Sequence, residues 1–304
     1  MRMLVTGAAG FVGYAVAARL VADGHTVTGL TRSPTATLPA GVTRHLGDIR
    51  DPASLPDEPF DGVCHLAGLA QVRESRTDPL RYWQTNTGGT LALLDWLPKT
   101  GADRLIIAST CAVYGEPDQQ PIAETAPETP TNPYGSSKLA ADRAAADCAA
   151  SSELGAISLR AFNITGATPG RPDHDLTRLI PKLLAVQNGH APEITINGDG
   201  SAIRDFVHVT DMADAFARAL AACQPGTWRA YNVGSGQPRS IADVIRTVET
   251  ITGRSVPRRH APPAQEPAYL AADPTRIHNE LGWQPTSSTL EQIITDAASA
   301  AAGQ

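Results

Sequence analysis

An apolar run, Met3-Leu4-Val5-Thr6, breaks straight into Gly7-Ala8-Ala9-Gly10-Phe11-Val12-Gly13, and a helical pattern starts there. A strand that turns into a helix through glycines aims the helix's free N–H groups and positive end at one spot, and glycine lets a diphosphate approach the backbone. The order G-x-x-G-x-x-G therefore predicts an anion cradle in which Gly7, Gly10, Phe11, Val12 and Gly13 meet the ligand. Behind it, short apolar or β-branched runs near 26–30, 43–47, 62–66, 104–109 and 156–160 alternate with helical stretches near 12–23, 86–98 and 134–152. Such alternation predicts parallel strands joined by crossover helices. The expected fold class is α/β, a Rossmann-type doubly wound parallel sheet.

After about residue 165 the rhythm gives way to a Gly/Pro-rich stretch, Gly166 to Pro172, a helix over 175–189 and a second Pro/Gly segment around 192–200. A strand at 230–233 and helices near 210–222, 240–252, 275–281 and 288–301 complete the expectation. The domain reading is a dinucleotide-binding domain, residues 1–165 with returning segments near 202–236, and a smaller α/β substrate domain from 166–201 and 237–304. At 42% hydrophobic and 18% charged the chain reads as globular, with no apolar stretch long enough to span a membrane and no secretory leader. A net charge of −6 without a basic run advertises neither a nucleic-acid nor a membrane partner. Cys64, Cys111, Cys148 and Cys223 are scattered, with no pair at metal or redox spacing, so a cytoplasmic setting and no metal are expected. His65 and His208 sit in apolar strand contexts and read as satisfied core histidines.

The chemistry gathers on Tyr134-Gly135-Ser136-Ser137-Lys138. Residues four apart share a helix face, so an ammonium there sits beside both a phenol and a ligand on that face. Its charge favours phenolate and makes the tyrosine a usable acid/base. Of 25 cations only Lys99, Lys138 and Lys182 are lysines, so an amine at this place stands out. The strand Leu105-Ile106-Ile107-Ala108 ends in Ser109-Thr110, and hydroxyls at a strand's carboxyl end face the ligand crevice of a doubly wound sheet.

With these elements the chain resembles the extended short-chain dehydrogenase/reductases, in the branch of NAD-dependent epimerases and dehydratases that modify nucleotide sugars. The resemblance runs through Gly47-Asp48-Ile49, His65-Leu66-Ala67-Gly68, Asn86-Thr87-Gly88, Ser109 to Gly115, Arg160-Ala161-Phe162-Asn163, Arg204 to Val209 and Tyr231-Asn232-Val233-Gly234. It implies catalysis by Thr110, Tyr134 and Lys138. It further implies cofactor contacts from Asp48, Ile49, Leu66, Ala67, Gly68 and Asn86, and a grip on the sugar nucleotide by Ser109, Thr110, Asn163, Arg171 and Arg204, with Arg204 on the diphosphate. Where NAD-selective relatives end the second strand in an acid, this chain reads Thr31-Arg32-Ser33, so either NAD or NADP is admitted, with Thr31 and Arg32 leaning to NADP. Dehydratases carry an Asp-Glu pair where Cys111 and Ala112 stand, and the nucleotide-gripping positions before Pro267-Ala268-Tyr269 read Pro262, Pro263 and Gln265. The activity expected is 4-epimerisation of a nucleotide-linked hexose by transient oxidation at C4. An NADPH-dependent 4-ketoreductase is the alternative, a non-catalytic cofactor sensor the rival from another class, and a homodimer through the helices near 86–98 and 134–152 the expected assembly.

Overall fold

The computed structural model describes residues 1–263 and 266–302. Its central sheet holds β1 (Arg2–Thr6), β2 (Thr26–Thr31), β3 (Val42–Leu46), β4 (Gly62–His65), β5 (Arg104–Thr110), β6 (Gly155–Ala161) and β7 (Trp228–Val233). In space the order is β3-β2-β1-β4-β5-β6-β7, and every neighbouring pair is parallel. Winding reverses between β1 and β4. Their carboxyl ends therefore part to leave the crevice in which a doubly wound sheet takes its ligand.

Both faces of this sheet are covered, which is why runs such as Leu105-Ile106-Ile107 are apolar without alternation. Helix α1 (Phe11–Ala22), α2 (Gly89–Thr100) and α3 (Pro133–Ser151) come from the first half of the chain. Helix α4 (Leu179–Gln187), α5 (Val209–Ala222), α6 (Ile241–Thr252), α7 (Thr275–Leu281) and α8 (Leu290–Ala302) come from the second. Successive strand residues point to opposite faces, so Met3 and Val5 pack with α1 and α5, whereas Leu4 packs with α2 and α3. A separate core in the smaller lobe joins Ile180 and Leu183 of α4, Val244 and Val248 of α6, and Ile293 of α8.

Several elements differ from the sequence expectation for local reasons. The helix expected from 175 begins at Leu179, because the Asp175 carboxylate accepts from the Thr177 N–H at 2.9 Å and holds a turn there. The helix expected from 86 starts properly at Gly89 and is entered through a π turn, Trp83–Gly88. Short strand pairs at 163–165 with 206–208, and at 194–197 with 258–261, are too brief to show a period of two. Among the described residues no helix is long and apolar enough to cross a membrane.

Candidate active site

The glycine turn is closed by backbone on every side. A Cβ on Gly7 would stand 2.8 Å from the Ala67 nitrogen, one on Gly13 would stand 2.1 Å from the Gly7 carbonyl oxygen, and Gly7 has a φ of +68°. Only glycine fits either place. The opposite wall is fixed by a chain of hydrogen bonds whose direction follows from counting protons. Thr90 Oγ1 donates to the Asn86 carbonyl at 2.6 Å, so His65 Nε2–H donates to Thr90 Oγ1 at 3.1 Å and His65 Nδ1 accepts from Thr6 Oγ1 at 2.8 Å. Thr6 Oγ1 in turn accepts from the Leu66 and Ala67 N–H groups at 3.1 and 3.0 Å. His65 is thus a neutral strut, pushed down to about 3 by burial and by the Lys138 charge. It anchors Leu66 and Ala67 against Gly7. Among the described residues no group of three or more His, Cys, Asp or Glu is placed to hold a metal ion.

Asn86 sits in the π turn, where a local widening aims one side chain inward. Its amide accepts from the Leu69 N–H at 2.8 Å and donates to the Leu69 carbonyl and to Ser137 Oγ, both at 3.0 Å. Asn86 is buried, and all of these bonds are internal. It ties the Leu66–Leu69 wall to α3 instead of reaching into the crevice.

Tyr134 lies in the first turn of α3, which Asn132 caps by accepting from the Gly135 N–H at 2.9 Å. A Cβ on Gly135 would stand 2.4 Å from the Ala112 carbonyl oxygen, so glycine lets the start of this helix press on the turn after β5. That pressing brings the Tyr134 phenol to the Thr110 hydroxyl, while Thr110 Oγ1 accepts from the Ala112 N–H at 3.1 Å. Burial pushes the phenol up to about 12, and the neighbouring Thr110 hydroxyl is the largest opposing influence. The lysine's pull on the phenol, expected to dominate, is not among the leading influences. Lys138 instead faces the opposite wall, with its Nζ 3.7 Å from where a Gly68 Cβ would be. It is 7% exposed and pushed down to about 8 by burial, with the charge of Asp142 opposing. Among the described residues its ammonium meets no hydrogen-bond partner. A donor without an acceptor among the described residues, facing a glycine that leaves room for a ligand, fits a ribose hydroxyl.

Below this pair a buried charge network fixes α3. Asp142 accepts from Ser109 Oγ at 3.0 Å, Ser158 Oγ at 2.6 Å and Arg160 Nε at 3.3 Å. Arg160 also donates to the Tyr114 hydroxyl at 2.9 Å, which donates to Asn232 Oδ1 at 2.8 Å. Ser109, expected at the substrate, therefore turns its hydroxyl to Asp142.

At the far end of the crevice, β2 ends in buried Thr31, whose Oγ1 accepts from the Ser33 N–H at 3.3 Å. Arg32 is exposed, and its charge acts on the Asp48 carboxylate, which Arg50 grips at 2.6 Å and holds down at about 2. Ile49 is buried, with its side chain against Gly89. A cleft of about 670 Å³ opens beside them, lined by Asp48, Arg50, Asp51, Gln84 and Gly88.

On the smaller lobe's side, Asn163 Nδ2 donates to the Asp205 carbonyl at 2.9 Å. Asp205 is wholly buried and accepts from the Ser235 N–H at 2.7 Å, the Gly236 N–H at 3.0 Å and the Ala272 N–H at 3.2 Å, so it is no partner for Arg204. Asp211 is likewise engaged, by Thr286, Ser287 and Ser288. Arg204, partly buried, has its Nη2 3.7 Å from Glu266, which also meets Arg73 at 2.9 Å. Glu266 is the acid that the sequence reading passed over, although it stands directly before Pro267-Ala268-Tyr269. Gln265 lies outside the described residues, and Pro262 and Pro263 carry no side-chain hydrogen bond. Arg171 goes elsewhere: its guanidinium lies on Tyr14 and donates to the Ala9 carbonyl of the glycine turn. His208 accepts from the Thr210 N–H at 3.1 Å and caps α5.

Residues 3–234 match the NAD dependent epimerase/dehydratase family. The chain belongs to that family. It is 41% identical to a UDP-glucose 4-epimerase of Streptomyces lividans over 97% of this chain and 94% of that one. Among solved structures it is similar to a UDP-glucose 4-epimerase from Stenotrophomonas maltophila with bound NAD and formylated UDP-arabinopyranose, at a TM-score of 0.93 and 30% identity, covering 100% and 98% of the two chains. It is also similar to one from Bifidobacterium longum in complex with NAD+ and UDP, at a TM-score of 0.92 and 29% identity, covering 100% and 99%. After Thr110 stand Cys111 and Ala112, neither of which carries a carboxyl, and burial pushes the Cys111 thiol up to about 12.

Proposed function

We propose that this chain is a nucleotide-sugar 4-epimerase that works on UDP-hexoses with a retained NAD. The observation that carries the reading is the Tyr134 phenol near Thr110, with the Lys138 ammonium of the same helix facing the glycine-walled crevice and meeting no hydrogen-bond partner among the described residues. Gly7, Gly10 and Gly13 with the start of α1 would hold the dinucleotide's diphosphate, and Lys138 its ribose. Bound NAD supplies a hydride acceptor and donor and a positive charge that brings the phenol down. Tyr134 takes the O4 proton when C4 is oxidised and returns it when C4 is reduced on its other face. Thr110 orients O4. Arg204 takes the sugar nucleotide's diphosphate, exchanging its weak contact with Glu266 for a bidentate one. Residues 166–201 and 237–302 form the lobe that closes over the nucleotide sugar.

NAD is favoured over NADP. Solved relatives hold NAD, and the Asp48 carboxylate is already paired with Arg50. The NADP preference expected from Thr31 and Arg32 is not supported by these relatives. A homodimer through α2 and α3 is supported by exposed Leu80, Trp83 and Leu91 on and just before α2, and the cytoplasm is the setting in which UDP-sugars and NAD occur together.

The test is incubation of the purified protein with UDP-galactose and no added cofactor, with sugars separated chromatographically. UDP-glucose should accumulate to equilibrium with no net change in nicotinamide absorbance. Stoichiometric consumption of added NADPH would instead indicate the ketoreductase, and inert protein with NAD bound the sensor.

A further inference from the structure

Arg171 sits in a short hairpin of the smaller lobe, where Thr168 pairs with Arg171 and Ala167 with Pro172. Its guanidinium carbon lies 4.2 Å from the centre of the Tyr14 ring, in the first turn of α1. Its nitrogens donate to the carbonyls of Ala9, in the glycine turn, and of Thr37, in the loop after β2, the latter at 3.5 Å. Seven residues on, Arg178 lies over the Phe11 ring at 5.5 Å. Phe11 and Tyr14 are three apart and share one face of α1. The smaller lobe thus lays two guanidinium planes on the helix that opens from the dinucleotide turn.

The two arginines differ in charge balance. Arg178 is paired with Asp173 at 2.9 Å and Asp175 at 3.5 Å. Arg171 has two carbonyls and a ring but, among the described residues, no carboxylate, and burial works against its charge. A part-buried cation with no counter-ion among the described residues, hydrogen-bonded to the Ala9 carbonyl of the glycine turn, has its natural counter-ion in a diphosphate held on that turn.

We propose that Arg171 is the clasp that holds the cofactor's diphosphate on the glycine turn, so that seating of the smaller lobe and retention of the dinucleotide are one event. The proposal rests on the epimerase reading, in which a hydride taken from C4 must return from the same cofactor molecule; a cofactor that left between the two transfers would strand the ketose. Retention is then part of the chemistry, and a residue on the substrate lobe links it to lobe closure.

The test measures release without turnover. Wild type, Arg171→Gln, Arg171→Lys and Tyr14→Leu are loaded with NAD and moved into buffer holding an NAD glycohydrolase that destroys free cofactor. Protein-bound NAD is then followed by filtration and chromatography, and folding by thermal unfolding. Release from Arg171→Gln should be about tenfold or more faster than from wild type, the scale of one lost charge-assisted hydrogen bond. Arg171→Lys should fall between, since an ammonium keeps the charge but cannot lie flat on Tyr14 or span two carbonyls. Should Arg171→Gln fail to fold, Tyr14→Leu decides, with faster release expected. Wild-type release rates in a folded Arg171→Gln, or in Tyr14→Leu where that variant decides, overturn the clasp. Wild type that takes up no NAD at all overturns the cofactor reading and the clasp with it.

Discussion

Replacing Lys138 by methionine should make the protein more stable while silencing it. Lys138 is 7% exposed, its ammonium has no hydrogen-bond partner among the described residues, and it is lowered from an ordinary 10.5 to about 8. Each pH unit of that depression corresponds to about 1.4 kcal/mol, so below pH 8 the charge costs the fold about 3 kcal/mol. Between pH 8 and pH 10.5 the unfolded chain still binds a proton that the folded chain has released, so wild-type stability gains with rising pH across that window. Methionine keeps the apolar stem and has nothing to titrate. In nucleotide-stripped protein, where no bound dinucleotide masks the difference, Lys138→Met at pH 7 should melt roughly 5 °C higher than wild type. The gap should close towards pH 10.5. Scanning calorimetry at pH 7, 8.5 and 10 gives the series, and the same preparation should show no epimerisation. A variant no more stable than wild type at pH 7, or a gap indifferent to pH, would refute the account of the lysine as a charge held buried for its use.

Tyr134→Phe keeps the ring and its edge contact with Tyr82, whose centroid is 6.3 Å away, and removes only the proton-carrying oxygen. Turnover should fall by about 10²–10⁴ with bound NAD unchanged, and near-wild-type rates would take the phenol out of the mechanism. Asp142→Asn leaves Arg160 buried with its charge less well answered, and breaking a buried pair of this kind costs about 3–5 kcal/mol. An unmoved urea midpoint would mean that Tyr114 and Glu128, whose carboxylate meets Arg160 Nη2 at 2.5 Å, suffice for Arg160.

What could be read from the sequence was whatever is encoded within one element. The glycine turn, the Tyr134–Lys138 face and the strand end at Thr110 are local patterns, and the fold only had to bring their elements to one crevice. Partners set by tertiary approach were not legible. Arg171 follows a loop and could have met solvent, sugar or cofactor; only the position of Tyr14, on another element of the fold, decides that its plane lies on the glycine turn. Glu266 reaches Arg204 and Arg73 from a proline-rich stretch with no periodicity to fix its direction. The hydroxyl of Ser109 looked like a substrate donor because it neighbours Thr110, yet alternation along β5 sends it to Asp142.

Three buried acids, Asp205 inside a motif and Asp142 and Asp211 a few residues beyond two others, hold the motif segments in place. Asp142, Asp205 and Asp211 are buried, and each is satisfied by partners far along the chain: Arg160 for the first, the 235–236 and 272 backbone for the second, and residues 286–288 for the third. A buried carboxylate left without such partners is costly, so each acid admits few arrangements of its neighbours. Asp142 fixes the height of α3 against β5 and β6, which sets the phenol against Thr110. Asp205 fixes the strand that carries Arg204 against the loop after β7. Thr110 and Tyr134 come from β5 and α3 and Arg204 from the segment that follows α4, and these internal acids, through partners on other elements, hold the three in register across one crevice.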